Sequence, residues 1–330
     1  MAELADTVGN QTTIGVRERR SHRLRRAPAA DRIFNSTTAF LAFSVVAILT
    51  ALISVLLVEA WPAIRQFGFH FLISTDWDPA NDQYGALPFI YGTIVSSSLA
   101  LLLAVPLSLG VGLCLSEMTP DWLSRQLGFL VELLAAIPSV VYGLWAIFVL
   151  GPWLRDHVEP FLSTYLGFLP FFKGPRIAIG MLNAGVVLAI MVLPYIAAVM
   201  TDVFRTVPRT NREAALALGA TKWEMVRMAV LPFGTSGLIG AVILGLGRAL
   251  GETIAVAMVI GNRPEISASL FMPSTTLASV IANEFVEATS TLNVAALIEL
   301  GLVLLVLAFL MNVMARGLVA GATRRFKEAK

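Results

Sequence analysis

Six stretches of this chain stay apolar for about twenty residues or more, near Ser36–Val58, Phe89–Leu115, Leu127–Leu150, Ile177–Met200, Phe233–Ile260 and Leu292–Met314. A helix rises about 1.5 Å per residue, so roughly 20 such residues cross the hydrocarbon core of a bilayer. Inside that core every backbone N–H and C=O needs a partner within the protein, which leaves only helices and closed barrels. No stretch alternates polar and apolar residues with period two, so a barrel is excluded. The expected fold is an all-α integral membrane protein of six transmembrane helices. Charge content agrees: 14% of the 330 residues are charged, against roughly 25% in soluble domains. Cys114 is the sole cysteine, and the three histidines, His22, His70 and His157, are scattered. An intrachain disulfide is excluded, and neither a metal site nor a catalytic residue is expected.

Orientation follows from where the cations fall. Of 24 Lys and Arg, 18 lie in the segments that are cytoplasmic if the N-terminus is inside: seven before the first span, one after the second, five after the fourth and five at the C-terminus. The opposite loops hold 5, and Arg248 lies within a span. Cytoplasmic loops carry the excess of Lys and Arg, so both termini are expected in the cytoplasm. The first apolar stretch is too long for a signal-peptide core and reads as an uncleaved anchor. Seven arginines over Arg17–Arg32 suit a segment held beside anionic lipid heads; binding of nucleic acid is not expected. The chain divides into an Arg-rich cytoplasmic tail over 1–35, a membrane domain over 36–316 and a C-terminal cytoplasmic tail over 317–330.

The loop after the fourth span, 205–232, has a pattern of its own. Thr210 or Asn211 can cap a helix in which Glu213 sits in the first turn, where negative charge is favoured. Ala214, Ala215, Leu216, Ala217 and Leu218 are strong helix formers. Gly219 permits the left-handed backbone that ends a helix. Thr221 can cap a second helix, and Pro232 suits the first turn of the next span. This is a cytoplasmic helix-turn-helix on which a partner outside the membrane can push. Its spacing, Glu213-Ala214-Ala215, then Gly219 six residues after the Glu, then Leu231-Pro232 at eighteen and nineteen, resembles the EAA motif of binding-protein-dependent ABC importer permeases. Ala229 stands where a branched aliphatic is common. The resemblance implies the type I importer permease fold, and docking of this loop in a groove of an ATPase subunit. The chain has no Gly-x-x-x-x-Gly-Lys-Ser/Thr loop. It is therefore expected to be no enzyme itself, with ATP and Mg held by partners and no cofactor of its own.

The fifth span contains Gly247-Arg248-Ala-Leu-Gly251-Glu252-Thr253. A charge at mid-bilayer costs on the order of 3 kcal/mol even on lenient scales, and residues four apart share one helix face. Arg248 and Glu252 are either a structural ion pair or an anion site in which Arg248 meets the substrate. Gly247 and Gly251 form a small-xxx-small pair that lets another helix approach closely. Glu132 and Glu299 are further intramembrane acids; each either lines the path or, the favoured expectation, is a satisfied structural group. Pro138 is expected to kink the third span, with Pro106 and Pro194 as lesser candidates.

The stretch from Gly247 to Val256 resembles the signature of PstC-type phosphate permeases. Asn81–Thr93, Glu132–Trp145 and the external segment Phe71–Asp82 resemble the same family, and the likeness covers roughly Trp61 to Arg316. It implies import of inorganic phosphate across a bacterial inner membrane, with Arg248, Glu252 and Thr253 on the path. It also implies a PstA-type second permease, two ATP-binding subunits and an extracytoplasmic phosphate-binding protein. Permeases for sulfate, molybdate or tungstate share the loop and a related Arg–Gly-Glu stretch. Thr253 and the Tyr84–Thr93 stretch favour phosphate. An ion-driven secondary transporter would leave the coupling loop unexplained.

Overall fold

The computed structural model describes residues 29–328, with side chains over 33–317. The Arg-rich segment and most of the 1–35 tail lie outside the described residues. The chain divides into two compact units, Met1–Val55 and Leu56–Lys330, and the boundary falls inside the first helix. Among the described residues every named element is helical. The two β-bridges, Asp78 with Gln83 and Gly261 with Ser274, are isolated. Five helices are long and apolar enough to cross a membrane, and a bent pair makes a sixth span if it is counted as one.

Span one is the helix Ala29–Phe67. Span two is Leu87–Leu113, prolonged by a π-helical turn over Cys114–Met118. Span three is broken: Asp121–Ala136 and Ser139–Tyr165 meet at 87°. Span four is Met181–Arg205. Span five runs Lys222–Gly251, and a separate short helix, Ile254–Val259, follows it. Span six begins at Thr291 in a helix that reaches Glu328.

The expected boundaries shift for identifiable reasons. Pro138 lacks a backbone N–H and drives the residue before it out of the helical region, and Ile137 is extended at ψ 130°. Leu127–Leu150 is therefore not one straight helix. Pro106 and Pro194 stay inside continuous helices. The buried Ser108 hydroxyl donates to the Leu193 carbonyl at 2.9 Å and ties spans two and four beside Pro194. Span five starts earlier than Phe233, because the second helix of the preceding loop runs straight into it through a π-turn at Val226–Val230. It stops at Gly251 instead of reaching Ile260.

Span four is the axis of the second unit. Leu188, Val192, Ile196, Met200 and Phe204 are buried on it, packed against Ala100 and Ala104 of span two and Ala241 of span five. Lipid gives no hydrophobic force between helices, so close approach through small residues has to hold them. Gly234, Gly237 and Gly245 supply that approach on span five, where an added Cβ would meet Val203 or Ile196. A second cluster joins Ala63, Phe71, Tyr84 and Phe89 to Leu277, Ala296 and Leu300. Over it Trp77 Nε1 donates to Glu284 Oε2 at 2.8 Å.

Candidate functional site

The loop after span four folds as helix, break, helix. The first helix is Arg209–Ala217, with Pro208 at its cap position and no side-chain cap. Thr210 and Asn211 are inside this helix, not before it, and Glu213 falls past its first turn. The break is as expected: Gly219 has φ +84°. Thr221 and Glu224 form a capping box on the second helix. Glu213, Ala214 and Gly219 are exposed, Ala215 packs inward, and Leu218 is 90% exposed. Leu231 is half-buried and Pro232 lies in the first turn of the α-helical part of span five. An exposed apolar ridge thus tops a loop whose base is fixed.

What fixes the base was not legible in the sequence. Arg212 pairs with Glu117 at 2.7 Å, with side chains 18% and 6% exposed. Its Nε donates to the other Glu117 oxygen at 3.1 Å, and its remaining N–H groups reach the carbonyls of Phe204 and Val207. The planar guanidinium fork suits this double task. It neutralises a carboxylate at the end of span two and binds carbonyls at and just beyond the end of span four. The two residues are 95 positions apart, so no local pattern could announce them.

The intramembrane charges are arranged differently from expectation. The helix ends at Gly251 and Glu252 is extended, at φ −71° and ψ 125°. Glu252 is therefore not one helical turn above Arg248 on a shared face, and Arg248 makes no ion pair among the described residues. Its guanidinium lies over the Tyr195 ring, 4.2 Å from the centroid. Arg248 Nε is buried without a hydrogen-bond partner. The side chain lines a cavity of about 420 Å³ with Tyr195, Ile243, Leu244, Gly247 and Asn312. Thr253 donates locally, to the Gly251 carbonyl at 3.1 Å. Gly247 and Gly251 have nothing within 4 Å of an added Cβ, so no described residue packs closely on them. The close-packed glycines of span five are on its other face.

Glu132 is exposed near the C-terminal end of span four, in a small cavity with Asp202 and Arg205. Glu299 is 7% exposed, and its Oε2 has no partner. It sits at an apolar cavity with Ile90, Val303 and Leu307, away from Arg248. The expectation of a satisfied structural acid is not met there. No group of His, Cys, Asp and Glu among the described residues forms a metal site.

Residues 104–324 match the family model described as the binding-protein-dependent transport system inner membrane component. The phosphate transport system permease protein PstC of Haemophilus influenzae is 46% identical over 290 residues, 87% of this chain and 92% of the relative. The protein of the same name from Xylella fastidiosa is 47% identical over 308 residues, 91% of this chain and 94% of the relative. A solved inward-facing MetNI methionine ABC transporter is similar with a TM-score of 0.49 and 20% identity, over 72% of this chain and 94% of that one.

Proposed function

This chain belongs to the family of binding-protein-dependent transport system inner membrane components, and from that premise we propose that it is the permease subunit of an ATP-driven importer of inorganic phosphate. The observation that carries the substrate is Arg248. It is a permanent cation in the membrane-spanning region, without a counter-ion among the described residues, on the wall of a 420 Å³ cavity. A charge so placed needs an anion to meet it, and relatives 46% and 47% identical over most of this chain carry phosphate in their names.

The chain is a multi-pass membrane component and not itself an enzyme. In this reading it supplies half of the path. A second permease of the same kind supplies the other half, and its approach fills the open face at Gly247 and Gly251. Two ATP-binding subunits hold ATP and Mg and dock on the ridge around Leu218. An extracytoplasmic binding protein delivers phosphate. In this reading both termini lie in the cytoplasm, which the distribution of Lys and Arg supports. Closure of the ATPase pair pulls the two coupling loops together and opens the path outward; hydrolysis returns it. Arg248 attracts the anion, and the aromatic ring beneath it keeps the guanidinium extended into the cavity. Glu252 and Thr253, at the break, offer an acceptor and a hydroxyl where the path leaves the helix.

The test is uptake of labelled phosphate by cells in which this gene is deleted and then restored. Restoration should return phosphate uptake and leave sulfate uptake unchanged. Return of sulfate or molybdate uptake instead would reassign the substrate.

A further inference from the structure

We propose that the helix Asp121–Ala136 is a strut that carries movement of the cytoplasmic loop to Arg248, with Ser124 and Tyr195 fastening its two ends. The inference rests on the reading of this chain as an importer permease.

The lower end is a buried junction. Ser124, 3% exposed, donates its hydroxyl to the Leu115 carbonyl at 2.6 Å and accepts from Arg205 Nη2 at 2.8 Å. One side chain thereby joins the last turns of spans two and four to the first turn of the strut. The coupling helix is fastened to the same junction, since Arg212 grips Glu117 and the Phe204 carbonyl. A push on the loop must move these three ends together or break buried polar contacts.

The upper end is set by the Pro138 break. A helix that stops inside the membrane leaves its last carbonyls without partners. Tyr195 donates to the Ala135 carbonyl at 2.7 Å, and Tyr142 donates to the Leu134 carbonyl at 2.8 Å. The Tyr195 ring is the surface on which Arg248 rests, 4.2 Å from its centroid. Eleven residues of helix separate Ser124 from Ala135, about 16 Å at 1.5 Å per residue. From the loop to the arginine, each step is an ion pair, a hydrogen bond, one rigid helix or a cation–π contact. Tyr195 is thus a positioning residue for Arg248, and Ser124 positions the strut.

Continuity in space is not coupling until both ends are shown to bias each other. Two small substitutions test it. Tyr195→Phe removes one hydroxyl and keeps the ring under Arg248; Ser124→Ala removes the other hydroxyl. In the purified complex each should lower phosphate imported per ATP hydrolysed by roughly 2- to 30-fold, the range seen for residues along a coupling route. The double variant should fall no further than the more severe single, because either break already disconnects the strut. A second readout needs no phosphate. Leu244→Cys, with Cys114→Ser, places a thiol on the Arg248 cavity. Its alkylation rate should change when nucleotide binds the ATPase, and Tyr195→Phe should abolish that change. Unchanged import per ATP in both singles would overturn the proposal. So would effects that multiply in the double, or loss of the ATPase subunits on purification of either single. A wild-type complex that shows the nucleotide-dependent thiol change but moves no phosphate would refute the substrate reading and leave the strut standing.

Discussion

Arg248 shows how far a residue's role can be read from its neighbours in sequence. The pair of charges four positions apart suggests a shared helix face, and the arginine does belong to a cavity wall. The acid does not follow it, because the helix ends at Gly251. A glycine in a membrane helix is compatible with continuing or stopping, so the ending had no local mark. Arg248→Gln should therefore abolish phosphate import while the complex still purifies whole. The lost cation–π contact, worth about 0.5–2 kcal/mol, is too small to undo assembly. Glu252→Gln should not restore function to Arg248→Gln, since the two side chains are not paired. A double variant that regained uptake would revive the ion pair. Glu284, outside the spans, gives a pH test. Burial raises its carboxyl above the ordinary range, and the Trp77 N–H opposes that shift only in part. An acid raised in the folded state favours folding while protonated, and that contribution is lost as pH rises through the raised pKa. Thermal stability of the purified complex should fall as pH rises past the usual carboxylate range, and Glu284→Gln should flatten that dependence. An unchanged pH profile in the variant would contradict the assignment.

At the scale of elements, the legible breaks are those with a steric cause in the sequence. Pro138 ends a helix because its ring and missing N–H leave no choice. Gly219 ends another because the left-handed backbone it adopts, φ +84°, disfavours a side chain. Span five begins before Phe233 although Pro232 does lie in the first turn of its α-helical part, because a π-turn just before it joins the preceding helix to the span. The coupling loop itself was legible because its spacing is local, whereas its anchorage through Arg212 and Glu117 was not. Gly219 makes a graded prediction. Asn tolerates the left-handed region, Ala less well, and Val least, at a cost of about 1–2 kcal/mol or more. Recovery of the ATPase subunits with the tagged permease should decline in the order Gly, Asn, Ala, Val. Equal recovery from all four would mean that the break does not aim the loop.

For the whole molecule, apolar length sets the number of spans and charge placement predicts their direction, since both are sums over many residues and tolerate local error. Six apolar stretches correspond to five spanning helices and the bent pair. The glycine seam between spans four and five lies on a different face from the predicted pair, because sequence periodicity cannot say which neighbour a face will meet. Direction has its own test. With Cys114 replaced, Asn81→Cys should react with an impermeant thiol reagent added to intact cells, and Thr210→Cys should not. The reverse pattern would place the loop outside and remove its partner.

The central claim is tested most directly by reconstitution. The purified complex, in liposomes with the binding protein and labelled phosphate on one side, should accumulate phosphate only when ATP is supplied on the opposite side, where the coupling loop lies. Sulfate should not be accumulated. Accumulation by this chain without the ATPase subunits, driven by an ion gradient alone, would contradict the account.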